Sequence, residues 1–268
     1  MGFFDRFSPD RVGPGVEKDA PPKNVLLVFF GVYTRKFYKL LQLNLVHFLC
    51  SFPAILIALL ISANFLSSLF ESKNYPVHIW LSFAAFMISF NLVAAGPFQS
   101  GFTYVLRNFS REEHAFVWHD YLQIAKKNLK QSLIITVINL AVFSAISGSF
   151  AWYLGQSEKS LLMNIAVAIQ GVFLIIFTMM QIYTYQIMIT FELRIRDIYR
   201  NAFLFAIAMF LPNLLIILLC AVFSVFIMMQ MIVALILLPT FTLSVMGLIV
   251  NFYANRVIKK HMIDSQNK

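Results

Sequence analysis

The sequence predicts an all-α, polytopic membrane protein with six transmembrane helices, arranged as three hairpins with cytoplasmic amphipathic helices. Three observations carry that expectation. Hydrophobic residues make up 60% of the 268 and charged ones 12%, with a mean hydropathy of +0.77, whereas soluble domains are roughly half apolar and a quarter charged. Uncharged stretches cover 40–70, 76–106, 133–157, 161–191 and 201–255. Each has the about 20 residues that a spanning helix needs, and the last has room for two. Finally, 19 of the 21 Lys and Arg residues fall in alternate segments between the six spans. Cytoplasmic loops carry that excess, so both termini and the two basic loops are expected on the cytoplasmic side. A five-span chain would carry the C-terminal basic cluster to the other side, which makes six the expectation.

Residues 1–24 read as a loosely ordered cytoplasmic tail, because Gly13, Pro14, Gly15, Pro21 and Pro22 oppose regular structure. Residues 25–268 read as one helical membrane domain. The start is polar and carries Asp5, Asp10, Glu17 and Asp19, so no cleavable signal peptide is expected. Cys50 and Cys220 both sit in apolar spans and act there as small hydrophobes. The net charge of +9 is accounted for by the inside loops, and no nucleic-acid partner is expected.

Each hairpin begins with a basic, aromatic segment: RKFYKLLQLN (35–44), YLQIAKKNLK (121–130) and IRDIYRNAF (195–203). An Asn (Asn44, Asn128, Asn201) stands where each segment turns apolar. Two readings remain open, a degenerate threefold repeat and chance similarity among amphipathic helices. Pro53, Pro212, Pro239 and Gly96-Pro97 interrupt spans. Such breaks open binding sites in transporters, yet kinks satisfied by neighbouring helices are routine.

Charge concentrates in GFTYVLRNFSREEHAFVWHD (101–120). Phe102, Val105, Leu106 and Phe109 recur at helical spacing, so the second span is expected to continue into the cytoplasm or bend along its surface. Ser110-Arg111-Glu112-Glu113 matches a capping box, in which the Ser110 hydroxyl bonds the amide of residue 113. A second amphipathic face follows at Trp118, Tyr121, Leu122, Ala125 and Leu129. His114 and His119 are five apart, about 140° around a helix, and lack the spacing and companions of a zinc motif. No metal, cofactor or catalytic role is expected. The residues Arg107, Arg111, Glu112, His114, Trp118 and Asp120 are instead candidates for docking a partner, with Trp and Arg suited as anchors. Lys126, Lys127 and Lys130 are candidates for contact with anionic lipid.

Within the spans there is no Asp, Glu, Lys or Arg, which counts against a proton-driven carrier. His47 reads as an interhelical hydrogen-bonding group. Gln170 and Gln181, eleven apart, return to nearly the same helix face; with Tyr185 they either line a polar path or bind helix to helix. Ala141, Ala145 and Ser149 form a stripe suited to close packing. The chain has no G-x-x-x-x-G-K-[ST] loop and hence no ATPase of its own.

The run GPFQSGFTYVLRNFSREEHAFVWHDYLQIAKKNLKQS (96–132), with the opening MGFFDRFSPDRVGPGVEKDAPPKN and IRDIYRNAF, resembles the YesL-like family of bacterial integral membrane proteins across essentially the whole chain. It departs from the family pattern at Phe98, Gln99 and Ser100, where small residues are more usual. The resemblance implies a multi-pass plasma membrane protein of Gram-positive type, encoded beside carbohydrate-uptake transporters and sugar-degrading enzymes. The expected role is a non-enzymatic accessory subunit that contacts the permease and ATPase of a carbohydrate ABC importer through residues 101–131. A stand-alone sugar transporter or channel is the alternative.

Overall fold

A computed structural model describes residues 24–69, 76–154, 156, 160–229 and 231–264, and is helical throughout, with no strand among the described residues. Apart from Asn24, the tail expected over 1–24 lies outside the described residues. The first helix, α1 (Val25–Arg35), starts on Asn24, whose side chain accepts the Leu26 N–H at 3.0 Å. Lys36 alone separates it from α2 (Phe37–Cys50), and Ser51 alone separates α2 from α3 (Phe52–Leu69). Between α2 and α3 the axis bends by 73°. Pro53 is the local cause, because it offers no N–H and its ring conflicts with the carbonyl four residues back.

The second expected span is not one helix. α4 (Val77–Ser89) has 13 residues, about 20 Å of helix, against the about 30 Å of a bilayer core. It ends with Asn91 in the left-handed region (φ 57°). The Asn91 N–H donates to Ile88 O and the Leu92 N–H to Met87 O, which satisfies the final carbonyls. The chain restarts only at α5 (Pro97–Ser110), after Gly96 at φ 57°. Gly96 is required there: positive φ excludes most side chains, and a Cβ would lie 3.2 Å from Leu133.

Seven further stretches follow: α6 (Val117–Lys127), α7 (Leu129–Leu154), α8 (Leu161–Thr190), α9 (Ile195–Ala208), α10 (Phe210–Met228), α11 (Met231–Leu237) and α12 (Leu243–Ile258). A π-helical turn, Leu238–Thr242, joins α11 to α12. Four segments are long and apolar enough to cross a membrane: α7, α8, α10 and Ala234–Ile263. The bent α2–α3 pair makes a fifth. The last apolar stretch thus holds two of them, for which the sequence has room. The chain is an all-α, multi-pass membrane protein with four to five candidate spans.

One arrangement recurs three times. A short leading helix (α2, α6, α9) meets a long apolar helix (α3, α7, α10) across a single residue, Ser51, Asn128 or Met209. All three residues occupy the same sparsely populated region, with φ −92°, −101° and −111° and ψ 3°, 14° and 35°. Each returning helix then packs along the next leading helix: α5 on α6, and α8 on α9. The π turn and α12 close the ring on α2, while α5, α8 and α12 pack together at the centre. Close approach there requires Gly247, where a Cβ would meet Leu106 at 2.6 Å and Phe102 at 2.8 Å.

Asn44 seals the ring. Its Nδ2 donates to Leu238 O at 2.9 Å and its Oδ1 accepts the Ser244 N–H at 2.7 Å. Those backbone groups flank the π turn that Pro239 disrupts, so a fully buried Asn stands where the helical ladder fails. Asn128 and Asn201 have a different job. Each donates to the carbonyl four residues back on its own helix.

Candidate functional site

The charged stretch folds into two halves with opposite fates. The inner half is α5, buried at nearly every position from Gln99 to Phe109. Arg107 is only 8% exposed. Its Nη1 donates to Ile189 O and Thr190 Oγ1, both at 3.1 Å, at the end of α8, and its guanidinium lies 4.8 Å from the centroid of the Tyr104 ring. Burial, with a smaller contribution from the charge of Arg111, lowers the Arg107 guanidinium to about 10, so it stays protonated at neutral pH. A cation that the sequence offers for docking thus turns inward to a carbonyl and a hydroxyl at the C-terminal end of another helix.

The turn after α5 also departs from expectation. Ser110 ends a helix rather than starting one, and its hydroxyl donates to Arg107 O at 2.7 Å. The Glu112 N–H donates to Phe109 O and the Glu113 N–H to Asn108 O, with Glu112 at φ 60°. This is the paired hydrogen-bond pattern of a left-handed helix stop. Residues that match a capping box close the preceding helix because its apolar face continues through Phe109 into the core.

Three side-chain interactions fix this turn. The exposed Arg35 and Glu112 form an ion pair. Arg111, half-buried, donates through Nε to Asn255 Oδ1 at 2.8 Å, and Asp120 Oδ2 accepts the Phe116 N–H at 2.9 Å at the start of α6. Ala115 is buried and pins the middle. The outer half is what remains: His114, Phe116 (65% exposed), Trp118 (56% exposed) and His119. His114 and Phe116 meet edge to face, 4.6 Å apart.

The inward face of α6 is Val117, Tyr121 and Ala125. Trp118 and Leu129, expected on the buried face, are exposed. Gly101 sets this rotation, since a Cβ there would lie 2.3 Å from the Tyr121 carbonyl oxygen, and only glycine lets α5 approach α6 so closely. The Tyr121 hydroxyl lies 3.1 Å from His47 Nδ1, and the imidazole stacks on Phe102 at 3.9 Å. Ser51 Oγ also reaches the imidazole, at 3.2 Å. Burial pushes the Tyr121 phenol far above its usual range. His47 is therefore an interhelical tie, as its sequence position suggests.

Gln181 and Tyr185 are fully buried, while Gln170 is half-buried further back along α8. Asn139 Nδ2 donates to Gln181 Oε1 at 2.8 Å, the Tyr199 hydroxyl donates to Asn139 Oδ1 at 2.7 Å, and Thr136 and Tyr185 share a hydrogen bond of 2.8 Å. Asn91 Nδ2 donates to Gln181 O at 3.3 Å. The cluster ties α7, α8, α9 and the α4–α5 link, and Gln170 stands apart from it. Asn91 Oδ1 and Gln181 Nε2 remain buried without a partner.

Lys126, Lys127 and Lys130 are exposed. Lys127 lines a polar cavity of 490 Å³ with Asn128, Gln131, Glu192 and Arg194. Ala141 and Ala145 of the small-residue stripe face outward, whereas Asn139, Phe143 and Ser147 face the bundle. Among the described residues no three His, Cys, Asp or Glu side chains gather as metal ligands. Sequence reasoning missed Phe116 as a surface residue, and Arg35 and Asn255 as supports of the turn. The apolar run on either side of Phe116 hid the first, and separations of 77 and 144 residues hid the others.

Comparison with protein-family models, with curated proteins and with solved structures finds no match to this chain.

Proposed function

We propose that the chain is a non-enzymatic accessory subunit of a carbohydrate ABC importer in the bacterial plasma membrane, a member of the YesL-like family. It crosses the membrane six times with both termini cytoplasmic. The second crossing is α4 with its link and the start of α5, ending before Arg107. The observation that carries this reading is the edge formed by His114, Phe116 and Trp118. Aromatic side chains are held clear of the bundle by a turn tied down on three sides, and such pre-organised aromatics make efficient anchors. Of the six residues the sequence nominates, His114 and Trp118 form the contact surface, while Arg107, Arg111, Glu112 and Asp120 hold it in place. Phe116 joins the contact. The outward Ala141 and Ala145 face suits close packing against the permease, and Lys126, Lys127 and Lys130 meet anionic lipid.

A mild-detergent pull-down from native membranes, with mass spectrometry, tests this. Stoichiometric permease and ATPase subunits that vanish in the Phe116→Ala, Trp118→Ala double variant support the reading. Capture unchanged by that variant removes the edge from the interface, and a chain that always comes alone removes the accessory role.

The second reading is a stand-alone sugar transporter. The unpaired Asn91 Oδ1 and Gln181 Nε2 favour it, since a buried amide without a partner is costly and suits a ligand hydroxyl. Gln170, Gln181 and Tyr185 line neither the polar cavity beside Lys127 nor the groove described below. Sugar uptake by purified protein in liposomes, lost in Gln181→Ala, would bring this reading forward.

A further inference from the structure

An apolar groove lies away from the docking edge. It is a groove of 610 Å³ between α1, α10 and α12. Each wall is a helical stripe: Val25, Leu26, Phe29, Phe30 and Tyr33 on α1, then Ile216, Leu219 and Phe223 on α10. The third wall is Phe241, Val245, Ile249, Phe252, Tyr253 and Arg256 along the π turn and α12. These stripes have the spacing of faces that normally interlock, and aromatic edges bridge α1 and α12 beside the open groove. Phe29 meets Phe252 edge-on at 5.6 Å and Tyr33 meets Phe241 at 6.1 Å. Leu26, Phe30 and Leu219 are exposed along the groove.

Arg256 is the one charged residue of the lining. It is exposed in the last turn of α12, and its guanidinium makes no hydrogen bond or ion pair among the described residues. From Val245 to Arg256 the α12 wall rises about 16 Å, and the hydrocarbon of one leaflet is about 15 Å thick. An acyl chain lying on Val245, Ile249 and Phe252 therefore brings a lipid phosphate to the level of Arg256. Guanidinium is the side chain best matched to phosphate, through two parallel N–H donors. We propose that the groove is a binding site for one anionic phospholipid, with an acyl chain between α1 and α12 and its phosphate on Arg256.

The proposal is independent of the importer reading. It is tested with the full chain in nanodiscs that contain phosphatidylglycerol or phosphatidylcholine carrying a photoactivatable diazirine in the acyl chain. The crosslinked peptides are mapped by mass spectrometry. Labelling should concentrate on α1 and α12, with phosphatidylglycerol well above phosphatidylcholine. Arg256→Gln should lower phosphatidylglycerol labelling roughly tenfold, the loss expected for a charged hydrogen bond, and Arg256→Lys should retain part of it. Ile249→Trp should block both lipids, whereas Leu235→Trp on the exposed face of α11 should not. Melting temperature and elution volume verify that each variant is folded.

Labelling spread evenly over the exposed faces of α7 and α8, or unchanged in Arg256→Gln, overturns the proposal. Disulfide trapping between Phe4→Cys and Ile249→Cys with no lipid label in the groove also overturns it, and makes the chain's own N-terminus the occupant.

Discussion

α5 and the outer edge of α6 come from the same charged stretch, twenty residues long, and use their polar groups in opposite ways. Arg107 on α5 is drawn inward because α8 ends beside it and offers the Ile189 carbonyl and the Thr190 hydroxyl as acceptors. His114, Phe116 and Trp118 stay outside because Gly101 turns α6 so that Tyr121 faces the core. In so apolar a chain, a charge is claimed by whichever unsatisfied backbone end lies within reach. Only side chains left over from that demand remain free for a partner.

Substitutions can break this contrast, and the largest effect should come from Gly101→Ala. Its Cβ meets a backbone carbonyl that cannot swing aside, so α5 and α6 must separate at a cost of about 3 kcal/mol. Thermal unfolding in detergent, followed by size-exclusion chromatography, should show loss of the folded peak. Arg107→Leu comes next. It removes a charged donor from the half-buried Ile189 carbonyl, which also borders the polar cavity beside Lys127, and should cost about 2 kcal/mol. A melting temperature equal to that of the parent would mean that the carbonyl finds another donor. Asp120→Ala removes the acceptor at the start of α6, for about 1 kcal/mol, with faster hydrogen exchange confined to residues 114–120 as its signature.

The exposed Arg35–Glu112 pair should matter less. A double-mutant cycle is expected to give under about 0.5 kcal/mol, falling further at high salt. At the far end of the series, Trp118→Ala should leave the melting temperature unchanged while abolishing partner capture. If Trp118→Ala destabilised the bundle as much as Arg107→Leu does, the division into an inner and an outer half would fail.

Much of the architecture is legible in the sequence. Charge-free stretches locate the long apolar helices, and hydropathy alone finds α7, α8 and the two final spans. At 76–106 it misses the break in the helix, because a run without charge says nothing of Asn91 or of the seven-residue link to Pro97, where the backbone leaves helical geometry. His47 is legible as a tie because a lone imidazole in a span needs a neighbour. The site is less so. Ser110 to Glu113 carries the residue pattern of a helix start, and only the continuing burial of Phe109 turns it into a stop. Whether Arg107 faces in or out depends on where α8 ends, 82 residues away. No local pattern contains that.

Closure of the ring through Asn44 also bears on how the protein is made. Asn44 reaches Leu238 and Ser244, which follow it by 194 and 200 residues. At about 5 to 20 residues per second of synthesis, roughly 10 to 40 s separate the emergence of this side chain from that of its partners. Throughout that interval the Asn44 amide lacks both partners, although α2 already packs on α5 and α6 through His47, Phe102 and Tyr121. The first helices therefore wait on the last. A ribosome that stalls before residue 238 leaves an unsealed ring with a polar gap facing its surroundings, a mark by which membrane quality control can tell an unfinished chain from a finished one.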